Sequence, residues 1–254
     1  MADEQSRGRF VWFDLMTTDP SATAAFYPLV TGWGTEAWNG GGGDYTMWTA
    51  NGTPLGGVTK LAPPARAPHW LAYVATPDVD DTVMQAEDLG ARIIAHATSV
   101  PGVGRYAVLM DPQGAVFAAF TPQGAAPGHE GEAHLGEFSW HELATHDYPA
   151  AYRFYERLFG WEKADAIDMG DGNLYQMFRR NGVLLGGIFN RAAGGGSPAW
   201  LHYVLVEDVD RAAATVAEQG GQIASPPKEV AGGDRIVQCV DPQGARFALH
   251  ARSK

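Results

Sequence analysis

Short apolar runs rich in Trp, Phe, Val and Ala recur along the chain, separated by stretches that carry an apolar stripe at helical spacing. The run at 10–17 reads as a strand. It ends at Asp19-Pro20, a helix N-cap with proline at the first helical position. Residues 21–30 then place Ala22, Ala25, Phe26 and Leu29 on one helical face, and Gly32 supplies the stop. Strands are expected at 45–50 and 55–61 around Asn51-Gly52, a strong hairpin signal. The order then restarts with a strand at 70–75 and a helix at 79–89, capped by Asp78 and stopped by Gly90. Strands at 92–97, 105–110 and 116–120 follow, the last two joined by Asp111-Pro112-Gln113-Gly114.

The whole order then returns. Asp111-Pro112-Gln113-Gly114-Ala115 recurs 130 residues later as Asp241-Pro242-Gln243-Gly244-Ala245. So do Trp70-Leu71 as Trp200-Leu201, Asp78-Val79-Asp80 as Asp208-Val209-Asp210, and Leu55-Gly56-Gly57 as Leu185-Gly186-Gly187. Nearer the start of each copy the offset is 128, as in Phe26-Tyr27 with Phe154-Tyr155 and Gly32-Trp33 with Gly160-Trp161, so two extra residues fall between Trp161 and Tyr175. A period this long marks a duplicated domain, because solenoid repeats run only about 20–50 residues. The expected organisation is a first domain at 8–121, a Gly-, Pro- and Ala-rich linker at 122–135 and a second domain at 136–252. Copy two is read as strands at 138–144, 174–179, 183–190, 200–206, 222–224, 235–240 and 246–251, with helices at 150–159 and 209–219. The glycine runs Gly40 to Gly43 and Gly194 to Gly196 open no helix, so they read as loops and not as phosphate cradles.

Composition narrows the partners. A net charge of −11 with no basic stripe argues against nucleic acid. No apolar run reaches membrane-spanning length, and residues 1–6 lack the blocks of a signal peptide. The single cysteine, Cys239, permits no intrachain disulfide and sits among apolar residues, so a buried structural thiol and a reducing, cytoplasmic setting are expected.

Four β-α-β-β-β units, two per copy, resemble the vicinal oxygen chelate superfamily, which includes glyoxalase I, extradiol dioxygenases and bleomycin-binding proteins. The motifs that carry the resemblance are Thr17-Thr18-Asp19 after the opening strand, Phe26-Tyr27 to Gly32-Trp33, Asp78-Val79-Asp80 and the Asp-Pro-Gln-Gly turn, each present twice. The resemblance implies an α+β tandem in which each copy curls its sheet into an open cup around the site. Metal-using members take His and Glu ligands from the opening and closing strands. Carried across, those positions fall at Trp12, Trp70 or Leu71, Gly57 and Ala118 in copy one, and at Trp140, Trp200 or Leu201, Gly187 and Ala248 in copy two. None of these side chains is a metal donor, so no cofactor and no family-type metal are expected.

Strand alternation puts Asp14 on the face of Trp12 and Glu142 on the face of Trp140. These two carboxylates are the candidate catalytic or anchoring groups, able to hold a ligand hydroxyl or amine or to act as a base. Arg105 and Arg235 recur near the start of a late strand; they recognise an anionic ligand group, pair structurally with Asp14 and Glu142, or sit at the rim in solvent. Trp12, Trp48, Trp70, Trp140, Phe178 and Trp200 are candidates to line the cups, whereas Trp33, Trp161, Tyr73 and Tyr203 read as helix–sheet packing. Copy two adds His141, His202 and His250, where copy one has Phe13, Ala72 and Phe120. His202 and His250 join the ligand-binding candidates, and with Glu142 they could form a regrouped metal site; scattered histidines without ligand spacing are otherwise surface or core residues. The leading expectation is a small-molecule binder without the usual metal centre, as monomer or homodimer. The alternatives are an enzyme of lyase, isomerase or hydroxylase type using Glu142 or Asp14, and a non-catalytic scaffold.

Overall fold

The computed structural model describes residues 6–38, 40, 45–62, 67–170, 172–192 and 194–253. The chain runs β1 (Phe10–Thr17), α1 (Pro20–Thr31), β2 (Gly34–Ala37), β3 (Thr46–Ala50), β4 (Thr53–Lys60), then β5 (His69–Ala75), α2 (Val79–Asp88), β6 (Arg92–Val100), β7 (Gly104–Met110) and β8 (Val116–Pro122). Copy two repeats it with β9 (Phe138–Thr145), α3 (Tyr148–Phe159), β10 (Glu162–Asp168), β11 (Leu174–Arg180), β12 (Val183–Asn190), then β13 (Ala199–Leu205), α4 (Val209–Glu218), β14 (Gln222–Glu229), β15 (Arg235–Val240) and β16 (Arg246–Ala251). These are four β-α-β-β-β modules. The strands form two open eight-stranded sheets, ordered β2-β3-β4-β1-β5-β8-β7-β6 and β10-β11-β12-β9-β13-β16-β15-β14. No described helix is long and apolar enough to cross a membrane.

Local chemistry sets the element ends. Asp19 and Asp147 each accept a first-turn backbone N–H at 3.0 Å, ahead of Pro20 and Pro149. Gly32 (φ 76°) and Gly160 (φ 72°) close those helices in the left-handed region, where a side chain would be strained. The β3–β4 turn carries Asn51 and Gly52 at φ 50° and 77°, and β11–β12 carries Asn181 and Gly182 at 48° and 80°, the conformation that asparagine and glycine tolerate best. Strands β2 and β10 lie outside the sequence reading. Their residues are almost all exposed, so neither shows an apolar alternation. Of the first glycine run only Gly40 lies within the described residues.

Sheets follow the copies, but cores do not. The chain packs as two compact units, each built from one module of each copy. One unit holds the chain through Trp12, Ala72–Pro127 and His141–Trp200; the other holds Phe13–Leu71, Gly128–Trp140 and the chain from Leu201 onward. In the latter unit, Leu15, Tyr27, Trp33, Trp48 and Val58 share one core with Val204, Val216, Val237, Phe247 and Leu249, and α1 packs on α4. In the former, Val74, Leu109 and Phe117 share a core with Leu143, Tyr155, Phe159, Trp161, Phe178 and Ile188, and α2 packs on α3. Each fully buried large side chain contributes about 1.5–3 kcal/mol. Cys239 belongs to the first of these cores, and burial pushes its thiol up to about 12, so it is an inert structural thiol.

The repeated motifs tie the exchange together. Tyr27 donates to Asp241 Oδ2 at 3.2 Å, and Tyr155 donates to Asp111 Oδ2 at 3.0 Å. Trp33 Nε1 donates to the Gly136 carbonyl at 2.5 Å, and Trp161 Nε1 to the Gly8 carbonyl at 2.7 Å. In each pair the partner comes from the other copy but from the same compact unit. The Phe-Tyr, Gly-Trp and Asp-Pro-Gln-Gly motifs are therefore architectural.

Candidate functional site

On β1, alternation gives one face to Phe13 and Leu15, both buried, and the other to Trp12, Asp14 and Met16. Asp14 lies opposite Gly57 of the parallel neighbour β4. A Cβ on Gly57 would fall 2.2 Å from the Tyr45 ring and hydroxyl, so the glycine is what lets that ring lie across the strand. There the Tyr45 hydroxyl donates to Asp14 Oδ1 at 2.5 Å, and Asp14 is only 8% exposed. The second copy repeats the placement of the glycine opposite the carboxylate and under a tyrosine ring, in the other compact unit. Glu142 lies opposite Gly187, where a Cβ would sit 1.9 Å from Tyr175 Cε1. Glu142 is half-buried, and Tyr175 stacks on Phe189 with centroids 5.5 Å apart. The sequence reading counted Tyr45 and Tyr175 among the aromatics of the cups but did not join Tyr45 to Asp14. The signal was present: Tyr45 and Tyr175 recur at the same offset as the Gly-Gly pairs they cover.

Both arginines are part-exposed and pair with an Asp at a helix start, not with Asp14 or Glu142. Arg105 makes a two-pronged pair with Asp80, Nε and Nη2 each 2.9 Å from a carboxylate oxygen, and Arg235 Nη2 lies 2.8 Å from Asp210. The second Asp of each Asp-Val-Asp motif thus holds an exposed Arg at the start of α2 or α4, while the first caps the helix. Asp80 and Arg105 hold each other charged, the carboxyl below and the guanidinium above its usual range. Neither Arg is paired with Asp14 or Glu142 in these contacts.

The aromatic candidates divide. Trp48 and Phe178 are core residues with no exposed surface; Trp48 packs on Tyr27 and Trp33, and Phe178 stacks on Trp161 at 4.3 Å. They lie inside the cores and not on a ligand-lining surface. Trp70 and Trp200 are half-buried, and their indole N–H groups donate to the Tyr27 and Tyr155 hydroxyls at 3.3 and 3.2 Å. Burial and the neighbouring Asp241 or Asp111 hold those phenols neutral, well above their ordinary range. Trp12 and Trp140 remain half-exposed beside the carboxylates on their strands.

The histidines of copy two are engaged separately. His202 is buried edge-on to Phe13 at 5.3 Å, and burial drives its pKa down to about 3, so it is neutral at physiological pH. His250 Nδ1 lies 2.9 Å from Ser139 Oγ and Nε2 lies 2.9 Å from Asp234 Oδ2, which occupies both ring nitrogens. His141 is buried with its ring 3.8 Å from that of Phe10. Among the described residues, Glu142, His202 and His250 do not gather into a donor group. The positions that the resemblance assigned to metal ligands hold Trp12, Trp70 or Leu71, Gly57 and Ala118, then Trp140, Trp200 or Leu201, Gly187 and Ala248; Leu71, Ala118 and Ala248 are buried apolar residues. These side chains do not fit a divalent metal.

Known proteins resemble the chain over its whole length. A profile described as a glyoxalase-like domain matches residues 10–120, and that of the Glyoxalase/Bleomycin resistance protein/Dioxygenase superfamily matches 133–249. CFP32 of Mycobacterium tuberculosis, which bears the provisional name of a glyoxylase, is 31% identical over 97% of this chain and 95% of its own. The anthracycline biosynthesis protein DnrV of Streptomyces peucetius is 30% identical over 95% and 92%. Among solved structures, an Mn(II)-bound glyoxalase from Novosphingobium aromaticivorans superposes with a TM-score of 0.64 at 18% identity, covering 98% of this chain and 83% of that one. A variant of homoprotocatechuate 2,3-dioxygenase from B. fuscum gives 0.68 at 17% identity, covering 100% and 75%. With four β-α-β-β-β modules, both profiles and full-length relatives in agreement, the chain belongs to the glyoxalase/bleomycin resistance/dioxygenase superfamily, as a tandem vicinal oxygen chelate protein.

Proposed function

We propose that the protein binds a flat, partly apolar small molecule bearing hydroxyl or amine groups, without the family's metal centre. The observation that carries this reading is the carboxylate corner: Asp14 fixed by the Tyr45 hydroxyl over Gly57. A carboxylate oriented in this way is a directed acceptor, worth about 1.5–3 kcal/mol to a donor placed against it. The half-exposed Trp12 and Trp140 on the same strand faces support an aromatic ligand. The name of the Streptomyces relative supports a fused-ring polyphenol as the first class to try.

Titration of the untagged chain with an anthracycline aglycone, followed by tryptophan fluorescence, tests this. Saturable quenching is expected, weakened at least about tenfold in Asp14→Asn or Glu142→Gln, as loss of one charged hydrogen bond requires. Absence of saturable binding across fused-ring phenols would end the reading. One observation favours a second reading, an enzyme with Glu142 as general base: Glu142 is half-buried and more open than Asp14. Turnover of any such ligand that disappears in Glu142→Gln with binding retained would select it.

A further inference from the structure

The segment between the copies, read as a linker, is pinned over its last residues. Arg252 Nη2 donates to the Ala133 carbonyl at 2.9 Å, Asn51 Nδ2 to that of Leu135 at 3.1 Å and Trp33 Nε1 to that of Gly136 at 2.5 Å. The Gly136 N–H donates to the Leu205 carbonyl and the Leu205 N–H to the Glu137 carbonyl, both at 2.8 Å. All of these residues lie in one compact unit. On this fixed backbone stand His134 and Glu137, with His129 four residues ahead of it. One ligand atom from each lies within 4.8 Å of the other two, and among the described residues this is the one such group of His, Cys, Asp or Glu.

The hydrogen bonding inside the group points to a cation. His129 Nδ1 lies 2.8 Å from the Glu130 carbonyl oxygen, which can only accept, so Nδ1 carries the proton. In a neutral ring Nε2 is then a bare lone pair, yet it faces Glu137 Oε2 at 2.8 Å, another acceptor. Two acceptors at that distance repel unless a positive charge lies between them. His134 Nδ1 stands 3.6 Å from the other carboxylate oxygen, its ring stacked on that of His129 with centroids 4.3 Å apart. The His134 backbone N–H donates to Glu137 Oε2 at 2.7 Å, which orients the carboxylate. An imidazole whose far N–H is anchored to a carbonyl is the usual outer-shell arrangement of a histidine ligand.

We propose that His129, His134 and Glu137 form a binding site for a divalent first-row transition metal of the zinc class. His129 Nε2, His134 Nδ1 and the Glu137 carboxylate would be the ligands, and water would complete the coordination, because His134 is 67% exposed. Two imidazoles disfavour Mg²⁺ and Ca²⁺, which prefer oxygen. Copy one has no counterpart of this group, since Glu137 aligns with Arg9 and His129 and His134 precede the second repeat.

The test is equilibrium dialysis of the untagged, chelator-stripped full chain against Zn²⁺ at neutral pH, with Mg²⁺ as control. One Zn²⁺ per chain is expected, with affinity at least about tenfold weaker in His134→Ala and uptake lost in His129→Ala/His134→Ala. If the double variant does not fold, imidazole NMR of the wild-type chain decides the matter: Zn²⁺ should move the His129 and His134 resonances and leave His202 and His250 in place. No uptake would overturn the proposal, with the positive charge being simply a proton on His129. Uptake unchanged in the folded double variant would overturn it equally, by placing the ion elsewhere.

Discussion

The two compact units use the same staples and differ in what they set between them. Each has a Tyr–Asp bond and a Trp–carbonyl bond reaching from one copy into the other, and a Trp–Tyr bond within one copy that ends on the same tyrosine. Where one unit stacks Phe13 on Phe138 at 3.8 Å, the other sets His141 against Phe10 at the same distance with the rings tilted. Where the unit with Phe13 places His202 and His250, the unit with His141 has Ala72 and Phe120. Staples are kept because each buries a polar group that must remain paired. The strand positions between them answer only to shape, so there the copies have diverged.

Gly56 and Gly186 test whether the two units are equivalent at the backbone. A Cβ there would meet the carbonyl oxygens of Phe13 at 2.0 Å and His141 at 1.8 Å, main-chain atoms that cannot swing aside. Gly56→Ala and Gly186→Ala should each cost about 3 kcal/mol or more in denaturant unfolding. A loss under about 1 kcal/mol in either would break the symmetry of the strand pairing.

Next in size are the tyrosine staples. Tyr27→Phe and Tyr155→Phe each leave a buried carboxylate and an indole N–H short of a partner, and each should cost about 2 kcal/mol. Burial raises the pKa of Asp241, so unequal losses in the two variants would sharpen the comparison.

The smallest effect separates the units outright, because only one of them contains His202. Above pH 6.5 the folded and unfolded chains both carry this residue neutral, and it adds no pH dependence. Below that value the unfolded chain binds a proton that the folded chain refuses until about pH 3. Stability should therefore fall by about 1.4 kcal/mol per pH unit as acid is added, reaching about that loss by pH 5.5. In His202→Leu this component of the acid sensitivity should vanish. Unfolding curves at pH 7.5 and 5.5 that shift equally in both proteins would show that His202 is already protonated or exposed.

Much of the fold was legible because it is written twice: the caps at Asp19 and Asp147, the Asn-Gly turns and the Gly stops are local signals. Strands β2 and β10 were not, since an exposed edge strand needs no apolar alternation. The candidate site was legible only in part. Alternation placed Asp14 beside Trp12, but nothing local joins Tyr27 to Asp241, 214 residues away, or sends Arg105 to Asp80 in preference to Asp14. Trp48 and Phe178 show the same limit, because a buried core aromatic and a ligand-facing one carry the same letter.

The exchange of modules also bears on how such a chain could arise. Neither copy encloses a core by itself: α1 is covered by α4 and α3 by α2, each from the opposite copy. A single copy would present two apolar faces and have nothing of its own to cover them, whereas two identical chains could cover each other's. Joining them through residues 122–135 turns a concentration-dependent encounter into an intramolecular one. After that fusion each half was free to change alone, and the histidines of the second copy are what that freedom allows.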